Sequence, residues 1–336
     1  MTPDCRPARL QALIREFQHK RILIVGDLML DEFIWGKVTR ISPEAPVPVV
    51  NVASESYYPG GAANVARNVR EFTPETMVMG RTGTDTYGRQ LTKLLAESGI
   101  DTRGVLQDSS TSTTVKSRII ARNQQVVRVD RECTSALTAE QAALSLSWLE
   151  KMGPVDAVIV ADYGKGVLTQ FFADGITEFC RRNERILTID PHPHSKLNWQ
   201  GATAIKPNRL EAFLAAGMPV SDAVLPVLSD KPLLEAGRRL MERWQARELL
   251  ITLGEHGMLL CRAGLAPHHT PTCAKSVFDV SGAGDTAIAI YTLALAAGAH
   301  SIEAAHLANH ASGVVVGKLG TAAVTFAELM NDVGEG

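Results

Sequence analysis

Asp279-Val280-Ser281-Gly282-Ala283-Gly284-Asp285-Thr286, followed by the apolar run 287–297, is the stretch on which the reading of this chain turns. A Ser and two glycines ahead of a helical pattern read as a turn feeding a helix N-terminus. The first turn of a helix holds backbone N–H groups without partners, and its dipole favours negative charge. Gly282 and Gly284 carry no side chain, so a phosphate can come close to that backbone. Asp285 is the odd member, because a carboxylate beside an anion cradle repels the anion. It either does chemistry or complements the helix dipole, and spacing alone leaves the two readings even. Gly282-Ala283-Gly284-Asp285-Thr286-Ala287 also fits a dinucleotide fingerprint. That motif follows the first strand of its unit, whereas here most of the chain precedes it, which disfavours a dehydrogenase.

Working outward, 336 residues allow one large α/β domain with an ample core. Hydrophobic content of 45% and charged content of 21% are those of an ordinary globular protein, and a net charge of −2 gives no field for nucleic acid. Five scattered cysteines without a Cys-x-x-Cys pair suit free thiols in a reducing cytoplasm. Residues 1–18 read as a charged amphipathic helix and not as a signal peptide. The longest uncharged apolar run, 287–299, is shorter than the roughly 17–25 residues of a membrane span. The expectation is a cytoplasmic protein with neither nucleic-acid nor membrane partners.

Residues 21–27 form an apolar run closed by Gly-Asp, as in a buried parallel strand. The next helical pattern begins only near Gly61, more than thirty residues on, where strand-to-helix loops usually take about 2–6. Alternating pieces at 33–38 and 47–53 predict a small β lid, completed by a hairpin over 113–130 turning at Asn123-Gln124. Strand patterns at 77–81, 155–160, 186–190, 202–205, 249–253 and 258–261 alternate with helical ones at 87–97, 139–151, 170–182, 209–216 and 231–245. The predicted fold is α/β: a doubly wound, mostly parallel sheet with helices on both faces. One domain spans 1–336, with lid segments at about 33–58 and 111–131. Ligands of such folds bind at the carboxyl ends of strands, where Gly26-Asp27, Asp162-Tyr163-Gly164-Lys165, Asp190-Pro191, Lys206-Pro207-Asn208 and Gly254-Glu255 fall. His192, His194, His268 and His269 read as lying in Pro-rich loops, without metal-ligand spacing, and as surface histidines. Residues 313–319 miss a P-loop by one spacer and by Leu319 in place of Ser or Thr.

Three further motifs gain meaning together. Tyr58-Pro59-Gly60-Gly61-Ala62-Ala63-Asn64 places a glycine pair at a helix entrance, with Asn64 in the first turn. Asn208-Arg209-Leu210-Glu211 is a capping-box variant by itself. Thr252-Leu253-Gly254-Glu255-His256-Gly257 is a strand end and turn. With Asp279–Asp285 downstream, this set resembles the signatures of the ribokinase family of sugar kinases over residues 22–321. The resemblance implies a ribokinase-like fold and in-line phosphoryl transfer from ATP. It implies Asp285 as the general base and Gly282, Ala283 and Gly284 as the anion cradle. It also implies Asn208 and Glu211 near the ATP phosphates and Mg²⁺, with Thr252, Gly254 and Gly257 along the nucleotide, and K⁺ near Asp279 and Ser281.

Within that family, the segments 26–31, 40–48, 122–125 and 314–321 resemble the kinases of D-glycero-β-D-manno-heptose 7-phosphate. The implied product is heptose 1,7-bisphosphate, on the way to ADP-heptose for lipopolysaccharide core. Some such kinases carry a fused adenylyltransferase; ending at Gly336, this chain is expected to be the stand-alone form. Lys116, Arg122 and Lys165 are the candidate cations for the sugar phosphate, and Asp27, Asp31, Asn64 and Asn123 the candidates for its hydroxyls. Gly60 and Gly61 would let the backbone approach the sugar. Ser281 stands where Thr is usual, and His192 where Lys is common, so His192 is given no role. The lid's edges and apolar faces predict a homodimer formed through it. The rival readings are a family kinase for another sugar phosphate or a nucleoside, and a catalytically silent binding protein.

Overall fold

The chain builds two sheets of unequal character. The structure, a computed structural model, describes residues 3–122, 124–274, 276–318 and 322–335. Strand β1 (Ile22–Gly26) alternates perfectly between two cores: Ile22 and Ile24 face one side, Leu23 and Val25 the other. A strand buried on both faces needs an apolar residue at every position, which is why this run shows no polar alternation.

After helix α1 (Pro7–Glu16) and β1, the chain leaves the main sheet through β2 (Leu28–Ile41) and β3 (Pro48–Gly61), then enters α2 (Ala62–Arg70). It continues through β4 (Thr76–Gly83), α3 (Thr86–Glu97) and β5 (Asp101–Asp108). The second lid excursion is β6 (Thr114–Ala121) and β7 (Gln124–Arg131). Next come α4 (Ala139–Lys151), β8 (Ala157–Ala161), α5 (Gln170–Arg182), β9 (Ile186–Asp190) and β10 (Ala204–Ile205). Then follow α6 (Arg209–Ala215), α7 (Lys231–Trp244), β11 (Glu248–Thr252), β12 (Met258–Arg262) and β13 (Leu265–Thr270). Helices α8 (Ala283–Ala296), α9 (Ser301–Val316) and α10 (Phe326–Glu335) close the chain.

The main sheet runs β13-β12-β11-β10-β9-β8-β1-β4-β5, parallel from β11 to β5 and antiparallel at the β12 and β13 edge. From β1 the chain winds first toward β4 and β5 and later toward β8 and onward, so the winding reverses beside β1. At that switch point Gly26 lies so close to β8 that a Cβ would stand 2.0 Å from the Ala161 carbonyl oxygen. Ligand clefts open at such reversals. The lid is a separate sheet, β3-β2-β6-β7, in which β2 pairs antiparallel with β3 and parallel with β6.

One strand is additional to those predicted, and two expectations need correction. Residues 101–108 are a strand: β5 is the half-exposed edge of the sheet, and its mixed composition carries no alternation. His268 and His269 are not surface-loop residues but lie half-buried on β13, where His269 Nε2 meets the His256 carbonyl oxygen at 2.7 Å. Gln124, expected in the turn of the lid hairpin, already belongs to β7, and Asn123 falls outside the described residues. Gly313 and its neighbours to Val316 sit in α9, which explains why the P-loop likeness there is accidental.

Candidate active site

Helix α8 starts where the sequence places it. Gly282 is its N-cap in the left-handed region (φ 83°) and supplies no side-chain cap. Asp285 sits in the first turn. Helix α2 packs beside α8 along one face: Asn64 and Asn68 stand four residues apart and so share that face. Asn68 Oδ1 accepts from the buried Thr286 hydroxyl at 2.8 Å, and Asn64 Nδ2 donates to Asp285 Oδ2 at 2.6 Å. The Tyr163 hydroxyl, from the loop after β8, donates to Asp285 Oδ1 at 2.6 Å. Burial raises the Asp285 carboxyl above the ordinary range, opposed by the Tyr163 and Asn64 hydrogen bonds and by the Lys206 charge. The group stays half-open to solvent on its cavity side while the fold encloses the rest.

Asp285 and Gly284 border a cavity of about 960 Å³ along the carboxyl ends of β8 to β11. Ala283, Asn208, Glu211, Thr252, Gly254 and Gly257 border it too, so the expected nucleotide-side residues converge. Lys206 is buried, pairs with Asp190 at 3.0 Å, and lies 3.4 Å from where a Cβ on Gly284 would be. A side chain at 284 would therefore crowd the ammonium. Burial, with the Asp285 and Glu211 charges nearby, pushes Asp190 up to about 7 against the pull of Lys206. Asn208 and Glu211 form the full capping box of α6: Asn208 Oδ1 accepts from the Glu211 N–H at 2.9 Å, and Glu211 Oε2 from the Asn208 N–H at 2.8 Å. The capping role is thus met at the cavity wall. Asp279 Oδ1 accepts from the Ser281 N–H at 2.9 Å in the approach to α8.

The lid end is organised differently. Asp27 is buried and its carboxylate accepts backbone N–H groups from Tyr163, Lys165 and Val167 at 2.9, 3.0 and 3.1 Å. It holds the loop after β8. Asp31 pairs with Arg118, whose guanidinium also lies 5.2 Å over the Phe33 ring. A Cβ on Gly60 would stand 2.5 Å from Asp31 Oδ2, and Gly61 (φ 57°) turns the chain into α2. Lys116 and Lys165 converge on Glu132, each at 2.8 Å, and Lys116 also meets Asp130 at 3.2 Å. Arg122 does not join them within this chain. It stands past the end of β6, six residues beyond Lys116 and about 20 Å along the strand, donating to the Val38 carbonyl oxygen.

Sequence reasoning did not single out Tyr163, Asp190, Lys206, Arg118 or Glu132. The first three lay in the polar clusters at strand ends, a signal that marks a neighbourhood and no role. His192 also borders the cavity.

A doubly wound sheet whose reversal faces this carboxylate-headed helix is the architecture of the ribokinase-like kinases. Arabidopsis thaliana ribokinase complexed with ribose and ATP matches it with a TM-score of 0.72 at 16% identity, over 94% of this chain and 98% of that one. Phosphofructokinase-2 from Escherichia coli in complex with potassium gives 0.73 at 14%, over 94% and 99%. Such identities establish the fold alone. The sequence goes further: residues 19–327 match the pfkB family carbohydrate kinase model, and the chain belongs to that family. Bifunctional protein HldE of Desulfatibacillum aliphaticivorans is 42% identical over 314 residues, 93% of this chain and 63% of its own length. The protein of the same name from Caulobacter vibrioides is 42% identical over 327 residues, 95% of this chain and 65% of its own. The chain thus spans just under two thirds of the length of these curated relatives.

Proposed function

We propose that this carbohydrate kinase transfers the terminal phosphoryl group of ATP to the anomeric 1-hydroxyl of D-glycero-β-D-manno-heptose 7-phosphate. The product would be heptose 1,7-bisphosphate, feeding ADP-heptose and lipopolysaccharide core synthesis. One observation carries the chemistry: Asp285, gripped by Asn64 and Tyr163 at the head of α8, opens onto the same cavity as Lys206. The heptose assignment rests on the lid and strand-end motifs of the sequence.

The sugar hydroxyl would sit against Asp285, which takes its proton as the oxygen attacks phosphorus. Asn64 Oδ1 is buried without a partner among the described residues and is positioned to accept from a neighbouring hydroxyl of the sugar. The first-turn N–H groups of α8 and the Lys206 ammonium would stabilise charge on the transferring group. Among the described residues no three His, Cys, Asp or Glu side chains gather as a metal cluster. Asp190 and Glu211 nevertheless offer hard oxygen donors at the cavity wall, which suits Mg²⁺ held mostly by phosphates and water. Bound there, Mg²⁺ would supply charge neutralisation on the phosphates. K⁺ would lie near Asp279 and Ser281, in the turn their hydrogen bond already shapes; replacing K⁺ by tetramethylammonium in the assay tests this, and unchanged turnover removes it.

ADP release measured across heptose 7-phosphate, fructose 6-phosphate, ribose and adenosine tests the substrate. The expected result is the highest kcat/KM for heptose 7-phosphate. A tenfold preference for another acceptor would replace the heptose, and no turnover with any would leave a binding protein.

The lid sheet exposes Val127 and Val129 on one face and Trp35 on the other, the face of Asp31 and Arg118, and covering these apolar side chains in a second copy would give the homodimer. Light scattering should return twice the chain mass; a monomer in active protein rules this out.

A further inference from the structure

Outside the cleft's chemistry, three elements bring a thiol, an imidazole and a carboxylate into line. Cys273 lies in the loop after β13, His310 on α9 and Asp332 on α10. Asp332 Oδ2 accepts from His310 Nδ1 at 2.8 Å, which leaves Nε2 with its lone pair toward Cys273 Sγ, 3.9 Å away. The buried Asn309 donates from Nδ2 to Sγ at 3.1 Å and to the Pro271 carbonyl oxygen at 2.6 Å. A base held by a carboxylate and facing a half-buried thiol is the arrangement that activates a sulfur nucleophile. The other cysteines lack it. Burial pushes the Cys180 and Cys261 thiols up to about 12 and about 11. Cys133 is lowered to about 7 by hydrogen bonds, the Ser135 side chain's first, but has no imidazole beside it.

We propose that Cys273 is a modification site at which a small disulfide of the glutathione type reversibly closes the kinase to nucleotide. Sγ attacks one sulfur of the disulfide; its proton passes to His310 Nε2, the reagent's S–S bond breaks, and a new S–S bond forms on Cys273. The departing sulfur leaves as thiolate and takes up the proton. Cys273 is thereby oxidised and half of the reagent reduced. Thr272 and Ala274, on either side of Cys273, border the large cavity. The loop has no slack: a Cβ on Gly313 of α9 would stand 3.1 Å from the Ala274 nitrogen and 3.3 Å from the Cys273 carbonyl carbon. An adduct must therefore project into the cavity or displace its wall. This blocking effect, though not the thiol chemistry, rests on reading that cavity as the ATP site.

The test treats the full chain with oxidised glutathione, locates the adduct by peptide mass, and measures binding of a non-hydrolysable ATP analogue before and after. Expected is one fast adduct at Cys273, formed at least tenfold more slowly in His310→Gln of unchanged melting temperature. Cys273→Ser should keep its turnover and resist inactivation. Analogue affinity should fall at least tenfold on modification and return with dithiothreitol. A fast adduct on Cys133 instead, or a His310→Gln rate equal to wild type, overturns the site. An adduct on Cys273 that leaves affinity unchanged overturns the switch. Failure of the unmodified chain to bind the analogue would sink the ATP reading and, with it, the switch, while the adduct arm still reports on the thiol.

Discussion

The two ends of the cleft handle charge in opposite ways. At the head of α8 one carboxylate, Asp285, is held by two neutral donors, Asn64 and Tyr163. At the lid end the clustered cations already have anions: Lys116 and Lys165 share Glu132, and Arg118 holds Asp31. The first end has its donors and acceptor in place before substrate arrives. On the proposed assignment the second would have to exchange partners when a phosphate dianion enters, since Glu132 and the newcomer would compete for the same two ammonium groups. Preorganised groups act on rate, whereas exchanging ones act on affinity. The contrast teaches where a substitution should be felt.

The sharpest way to break it is Asp285→Asn. On the general-base reading kcat falls by about 10²–10⁴, because the amide cannot take the proton. Binding of Mg-ATP, followed by calorimetry, should persist or tighten as a negative charge beside the phosphates is lost. A kcat within about threefold of wild type would reduce Asp285 to a dipole partner.

Lys165→Ala probes the other end. A charge-assisted contact is worth about 1.5–3 kcal/mol, so KM for the sugar phosphate should rise roughly ten- to a hundredfold with that for ATP unchanged. Equal rises in both constants, read from initial rates, would mean that the ends are not separable.

Tyr163→Phe should lower kcat by about tenfold, the worth of one hydrogen bond to a charged group. It also moves a pH profile. The Tyr163 hydroxyl holds the Asp285 pKa down; without it that pKa rises, and the acid limb of kcat against pH shifts to higher pH. An unmoved limb would show that Tyr163 only packs.

The smallest effect is on stability. Asp285 binds its proton more tightly folded than unfolded, so its contribution falls as pH rises from the ordinary carboxylate value through the raised one. Above that window the buried charge is a burden that Asp285→Asn removes. Melting at pH 7.5 should rise by a few degrees at most, about what 1 kcal/mol gives in a chain this size. The gain should vanish at acid pH, and a lower melting temperature at pH 7.5 would contradict it.

How far these contrasts were legible beforehand follows from how local each signal is. The β1 run, the glycine pairs and the Asn208–Glu211 cap are written in consecutive residues, and they appear where the spacing placed them. The partners of Asp285 are not local. Tyr163 is 122 residues away and Asn64 is 221, and only the reversal of the sheet beside β1 brings them together. Glu132 was invisible for the same reason, since nothing adjacent to it announces two lysines from separate elements. Arg122 shows the converse, a basic residue in a suggestive motif that strand geometry carries away from Lys116 and Lys165 within this chain. Edge strand β5 escaped because an element covered on few sides need not be apolar.

Asp27 ties these threads in another sense. By holding three N–H groups of residues 163–167, it fixes the short loop from which Tyr163 reaches Asp285 and Lys165 reaches Glu132. On the proposed assignment the loop would be a ruler with one mark at the reacting hydroxyl and the other at the far phosphate, and Asp27 would set its zero. An acceptor whose anion lies too near or too far along its carbon chain could satisfy one mark only. Selectivity for substrate length would reside in a span of backbone, adjustable by inserting or deleting a residue between 163 and 165 with neither end's side chains altered.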